Sequence, residues 1–162
     1  MRLDDHPEYR PNVGVVLFND LGQVWLGRRA NTAAPWNWQF PQGGIDRGED
    51  LQEAALRELD EETGVTTVEL LGRTHDWLIY DFPPEALARG GKWKGQKQIW
   101  FAFRFTGDET EIRLDAHHQI EFDAWRWAPL DEAARLIVPF KRAAYEQVAA
   151  AFRRFADEIP ET

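Results

Sequence analysis

The 162-residue chain contains no cysteine, so a disulfide framework and a thiolate metal site are both excluded, and any bound metal has to take oxygen or imidazole ligands. Long apolar runs are missing too. No stretch approaches the roughly 18 residues that a bilayer-spanning helix requires, and the charged segment Met1 to Arg10 holds no apolar signal-like core. A soluble, cytoplasmic protein with no membrane partner is the expectation. Cations are in the minority: 19 Lys and Arg stand against 28 Asp and Glu, a net charge of −9, which disfavours wrapping along a long duplex nucleic acid. An acidic chain can still take a phosphorylated substrate where divalent cations bridge carboxylate to phosphate. Repeats, low-complexity tracts and linkers are absent as well, so one domain over residues 1–162 is expected.

What is present is a foldable core: 43% of residues are hydrophobic, with eight Trp and ten Phe. Val13 to Phe18 and Gln23 to Arg28 read as strands joined through Asn19-Asp20-Leu21-Gly22, whose residues supply turn chemistry. A Trp-rich segment then runs into Pro41-Gln42-Gly43-Gly44, which punctuates a loop. Helix formers from Glu49 to Thr63 end at Gly64, where a helix commonly stops. Val68 to Arg73, Trp77 to Tyr80, Gln98 to Phe105 and Glu121 to Trp127 read as further strands. A last helix is expected from Phe140 to Glu158, with Ala144, Val148, Ala151, Phe152 and Phe155 as its apolar stripe. The sum is an α/β fold with a mixed sheet, a central helix and a terminal helix.

The central helix carries the chemistry. Glu58, Glu61 and Glu62 are spaced i, i+3 and i+4, so their carboxylates emerge on one side within reach of a common point. Leu51, Ala55, Leu59 and Glu62 share neighbouring azimuths, which sets the acidic cluster on the border of the buried face, where unpaired carboxylates are costly. A hard divalent cation is the natural compensation, since magnesium prefers oxygen ligands and takes few carboxylates beside waters and phosphates. Arg57 can orient a carboxylate by a charge-assisted hydrogen bond. The glycines at 43 and 44 let backbone approach closely, and a main-chain carbonyl at Gly43 is a further candidate ligand. The adjacent His117 and His118 have no partner at zinc-site spacing.

Gly43, Glu49, Arg57, Glu58, Leu59, Glu61, Glu62, Gly64 and Val65 fill every specified position of the Nudix box, Gly-x5-Glu-x7-Arg-Glu-U-x-Glu-Glu-x-Gly-U with U a bulky aliphatic. By chance such a match arises on the order of once in a billion start positions. The chain therefore resembles the Nudix hydrolases. That resemblance implies a Nudix α/β/α sandwich with a mixed central sheet, a catalytic loop–helix–loop and a C-terminal helix. It also implies water attack on phosphorus in a nucleoside diphosphate derivative. Glu58, Glu61 and Glu62 become metal ligands, with one of them, not singled out, acting as base; Glu49 and Arg57 become a supporting ion pair. The expected cofactor is magnesium, or manganese in its place, with more than one ion.

The resemblance runs beyond the box. Tyr9-Arg10-Pro11-Asn12-Val13-Gly14, Trp38-Gln39-Phe40-Pro41-Gln42-Gly43-Gly44, Gly95-Gln96-Lys97-Gln98, and Glu121-Phe122-Asp123 with Trp125-Arg126-Trp127 are similar to the bacterial RNA pyrophosphohydrolases. Diadenosine polyphosphate hydrolases share that subfamily. It implies Glu121 as a metal-linked carboxylate, Arg10, Arg29, Lys97 and Lys141 as phosphate contacts, and Val138, Phe140 and Lys141 as a base-stacking wall. Asn37 stands where relatives contact a nucleobase, and Tyr80 is a stacking or phosphate-binding candidate. The leading expectation is removal of pyrophosphate or phosphate from the 5′ end of triphosphorylated or diphosphorylated RNA. The alternatives are asymmetric cleavage of diadenosine tetraphosphate to ATP and AMP, hydrolysis of another nucleotide conjugate, and a silent nucleotide- or RNA-binding regulator.

Overall fold

Val13, Val15 and Leu17 point to one side of the first strand while Val16 and Phe18 point to the other, because successive strand side chains alternate faces. Both sets are fully buried, so this strand needs apolar layers above and below it. The computed structural model, which describes residues 1–157, supplies them. Its elements are β1 (Tyr9–Phe18), β2 (Val24–Arg29), β3 (Trp38–Gln39), β4 (Gln42–Gly44), α1 (Leu51–Thr63), β5 (Val68–Arg73) and β6 (Leu78–Asp81). Next come α2 (Pro84–Leu87), β7 (Gly95–Phe105), β8 (Phe122–Ala128), α3 (Glu132–Leu136) and α4 (Arg142–Asp157).

The strands form one eight-stranded mixed sheet in the order β3-β2-β1-β7-β5, with β4 on β1, β6 on β7 and β8 on β2. Its spine is the parallel pair β1 and β7, in register from Tyr9 opposite Gly95 to Phe18 opposite Arg104. On one face α1 sets Ala54, Ala55 and Leu59 against Val13, Val15, Leu17, Ile99 and Phe101. On the other, α3 and α4 set Ala133, Tyr145, Val148 and Phe152 against Val16, Phe18, Trp100 and Ala102. The expected α/β/α sandwich is therefore present. An aromatic trio ties α4 to the sheet: Tyr145 stacks on Phe40 at 4.9 Å, meets Trp100 at 5.7 Å, and its hydroxyl accepts from the Phe40 N–H at 3.1 Å.

Several boundaries differ from expectation for local reasons. Helix α1 starts at Leu51, not Glu49, because the Asp50 carboxylate caps it by accepting from the N–H groups of Gln52 and Glu53. It ends at Gly64 with φ 76°, the left-handed turn that glycine adopts without steric cost. Strand β7 begins at Gly95, three residues before the alternating segment, because Gln96 and Lys97 are paired with β1 and β6. The Trp-rich segment contains β3 and the expected loop at Pro41-Gln42-Gly43-Gly44 contains β4, while α2 and α3 leave no mark in the sequence because four- and five-residue helices carry too little periodicity. The terminal helix begins at Arg142, after a 3₁₀ turn over Pro139–Lys141. Ala151 faces solvent and Tyr145 joins the stripe, while the expected end at Glu158 lies outside the described residues. No helix among the described residues is long and apolar enough to cross a membrane.

The core beneath α4 is packed tightly at Gly14. A Cβ there would lie 2.4 Å from atoms of the buried Trp100 ring, whereas one at Gly91 would meet nothing within 4 Å. Gly14→Ala is expected to destabilise the fold by about 1–3 kcal/mol through overpacking. Gly91→Ala should leave urea denaturation midpoints near the wild-type value, and equal midpoints for both variants would contradict this packing.

Candidate active site

Arg57 organises the acidic end of α1. Its guanidinium grips Glu49 with two bonds, Nε to Oε2 at 2.8 Å and Nη2 to Oε1 at 2.9 Å, the paired geometry that makes Arg–carboxylate contacts strong. Nη2 also reaches the Gly44 carbonyl at 2.9 Å, while Nη1 donates to Glu58 at 2.9 Å and to Glu61 at 3.3 Å. The loop is closed from the other side by the Asp46 N–H, which donates to Glu49 at 3.0 Å. One cation thus fixes the glycine loop, the helix start and two of the three expected ligands. Glu49 is held below the usual carboxylate range by Arg57, and Arg57 above its own ordinary value, first by Glu49.

Glu62 is 4% exposed and accepts from the Gln42 N–H at 3.1 Å. Behind that contact lies a buried polar relay that sequence reasoning had not assigned to the site. The Gln98 amide nitrogen donates to Asn12 at 2.7 Å and to the Gln42 side chain at 3.0 Å, and its oxygen accepts from the Trp100 indole at 3.1 Å. These residues lie within the motifs quoted above, but polar residues inside strands give no periodic signal of their own. The relay locks β4 beside α1. Gly43 is consequently so close that a Cβ on it would fall 2.0 Å from the Glu58 carboxyl carbon.

An open cavity of about 280 Å³ is lined by Glu58, Glu61, Glu62, Glu121, His117, His118 and Gln119. The two histidines and Gln119 were not foreseen as lining; His117 reaches the wall through Asp60, 3.3 Å away. Burial pushes the Glu58 carboxyl up to about 6, with Glu61 and Glu121 adding to the rise and Arg57 opposing it. Burial likewise pushes Glu62 well up, reinforced by Glu58 and Glu121. Arg57 pairs with Glu49, Glu58 and Glu61, while Glu62 and Glu121 add negative charge beside them with no cation of their own, so the cluster is under-compensated.

Among the described residues no three acidic or imidazole side chains are already drawn to coordination distance of one point. Arg57 and the Gln42 N–H hold the carboxylates instead. The residues nevertheless fit a hard divalent cation. The donors are oxygens, the two buried carboxylates repel each other, and the missing side chain at Gly43 leaves room directly over Glu58.

A second group assembles around Tyr80. Its ring lies 5.8 Å from Phe140 and 5.6 Å from the Lys141 ammonium, and its hydroxyl bonds Gln96. Lys141 is buried, which pushes its ammonium down to about 8, with Arg29 adding to the effect. Arg10 lies against Gly44, and both Arg10 and Arg29 act on the Tyr80 hydroxyl. Val138 is half-buried beside them in sequence. Two of the expected contact residues are engaged within the protein itself. Lys97 is 1% exposed; its ammonium bonds the Leu3 and Asp5 carbonyls and sits 4.9 Å from the Trp77 ring, so it is a structural cation beneath the amino-terminal segment. Asn37 is buried and its amide nitrogen is committed to the Thr32 carbonyl at 3.1 Å, which makes it a loop brace.

Residues 8–154 match the NUDIX domain. The chain belongs to the Nudix family. This Nudix protein is 66% identical over 157 residues to an RNA pyrophosphohydrolase of Caulobacter vibrioides, covering 94% of this chain and 90% of that one. It is 52% identical to an RNA pyrophosphohydrolase of Azorhizobium caulinodans, covering 97% and 99%. In fold it is similar to a C. elegans Ap4A hydrolase, with a TM-score of 0.62 at 20% identity over 90% of this chain and 99% of that one. The E. coli dihydroneopterin triphosphate pyrophosphohydrolase gives 0.62 at 22% identity over 86% and 95%.

The raised carboxyls of this Nudix protein set a pH dependence. A carboxyl whose folded value exceeds its unfolded one contributes stability that is full below the unfolded value and is lost as pH rises through the folded one. For Glu58 that window runs from 4.5 to about 6, and Glu62 extends it in the same direction. The melting temperature in chelator should fall across this window by on the order of 5 °C. Added magnesium should restore it at pH 7.5 but not at pH 5, where the carboxyls are protonated; calorimetry showing equal magnesium effects at both pH values would contradict the assignment.

Proposed function

We propose that this protein is a magnesium-dependent hydrolase that removes pyrophosphate or phosphate from the 5′ end of triphosphorylated or diphosphorylated RNA in the cytoplasm. The observation that carries the reading is the concentration of four carboxylates on one cavity, at an end of the sheet shared with a cationic, aromatic wall. The family's RNA pyrophosphohydrolases at 66% and 52% identity support the same substrate class.

Glu58, Glu61, Glu62 and Glu121 would hold the divalent ions, with the Gly43 carbonyl as a further donor. Bound there, the ions supply a lowered pKa for the attacking water and a counter-charge for the polyphosphate. The chain's own residues do the rest. One of the box glutamates accepts the proton of the water whose oxygen bonds to phosphorus; the bridging P–O bond breaks, pyrophosphate leaves and the RNA keeps a 5′-monophosphate. Glu49 and Arg57 hold the box glutamates in place. Arg10, Arg29 and Lys141 meet phosphate oxygens, and Phe140 with Val138 receives the first base beside Tyr80, a contact that tolerates different bases. Contacts confined to the first nucleotides suit an acidic protein.

Because that wall tolerates any base, an adenine of diadenosine tetraphosphate would also fit, with ATP and AMP as products. Triphosphorylated RNA should nonetheless give the higher kcat/KM in a side-by-side assay, and a large preference for the dinucleotide would reverse the order. Glu61→Gln and Glu62→Gln should each lower kcat by at least about 100-fold, the scale of lost electrostatic stabilisation, with the fold retained by circular dichroism. Near-normal turnover in both variants would remove the carboxylates from the chemistry.

A further inference from the structure

Trp36 stands outside the machinery described so far. It keeps 42% of its surface exposed although it is the largest side-chain type, and its backbone takes φ 69°, a left-handed conformation uncommon for a bulky residue. One face of the indole is covered: the Arg142 guanidinium lies 5.2 Å from the ring centre. Arg142 is itself held, its Nε donating to the Ala134 carbonyl at 2.9 Å. The guanidinium therefore backs the ring, while 42% of the residue's surface stays open to solvent.

The position of this pair ties it to the wall at Phe140. Asn37, next to Trp36, bridges to Ile137, which directly precedes Val138, and Arg142 follows Lys141 at the start of α4. Charge points the same way. Among the described residues Arg10, Arg29, Lys141 and Arg142 form no ion pair with a carboxylate. In a chain of net charge −9, cations without carboxylate partners beside exposed aromatic surface suit a ligand that brings both negative charge and flat rings. Single-stranded nucleic acid has that composition, with phosphates for the cations and a base for each π-face.

We infer that Trp36, backed by Arg142, is a stacking platform for a base of the RNA beyond its first two nucleotides, past the one received by Phe140. This rests on the RNA reading above and extends it from the 5′ end into the following nucleotides. The platform favours substrates with a single-stranded leader and gives nothing to a free nucleotide. It acts on binding and not on bond cleavage, because Trp36 is not among the described residues that line the carboxylate cavity.

The test uses the full-length protein and triphosphorylated RNAs of dinucleotide and octanucleotide length, with kcat and KM measured separately at fixed magnesium. Wild type should show the lower KM for the octanucleotide. Trp36→Ala should raise that KM by about tenfold, the scale of one lost stacking contact, with kcat and the dinucleotide KM unmoved. Trp36→Phe should recover most of the loss, whereas Trp36→Leu, which keeps bulk without a π-face, should not. A shift of equal size for both RNA lengths, no shift, or full recovery by Leu would each overturn the inference while leaving the proposed function intact. Wild type that turned over neither RNA would overturn both.

Discussion

The repulsion among the carboxylates at the end of α1 is the constraint around which the rest of the molecule is arranged. Like charges three and four residues apart work against a helix, and taking them out of water adds a larger cost. The fold answers with Arg57, which holds Glu49, Glu58, Glu61 and the Gly44 carbonyl at once, and with the Gln42 N–H on Glu62. Neither answer neutralises the cluster. What remains is a preorganised deficit of positive charge, and a hard cation is the ligand that such a deficit selects. Arg at this place is not replaceable by Lys in kind, because a single ammonium lacks the planar fork that reaches three carboxylates and a carbonyl together.

Precision at that end is imported from the opposite layer. The Gln98 relay runs through the sheet from the Trp100 indole to the loop that carries Gly43. Trp100 is packed against Tyr145 of α4. Side chains beneath one face therefore set the position of backbone on the other. Buried amide networks of this sort are valuable only when every member is satisfied, and here each named contact has a partner within normal hydrogen-bond length.

Much of this was legible in the residues alone. The box motif located the acidic helix, its capping glycine and the Glu49–Arg57 pair, because those features are local and obey helical spacing. The mixed sheet was legible from strand patterning, and the structural relatives share that fold. What escaped depends on tertiary placement, beginning with which face a strand turns inward. Lys97 looks like a phosphate ligand in the string Gly95-Gln96-Lys97-Gln98, yet alternation along β7 turns it under the amino-terminal segment while Gln98 faces the relay. Asn37 also braces its own loop, a contact that its place in the sequence does not reveal. His117 and His118 were set aside for want of a zinc partner, and they line the cavity through tertiary closure that no spacing rule records.

The parallel pairing of β1 with β7 also shapes how the chain comes to be. A strand near the amino terminus has its principal neighbour far along the sequence, at Gly95–Phe105. During synthesis β1 emerges apolar on both faces and must wait for most of the chain before its central hydrogen bonds can form. Early partners such as β2 and β4 occupy only part of its length. The nascent protein thus passes through a stage in which its most apolar strand is uncovered, and that interval, more than the finished fold, is where aggregation would compete with folding.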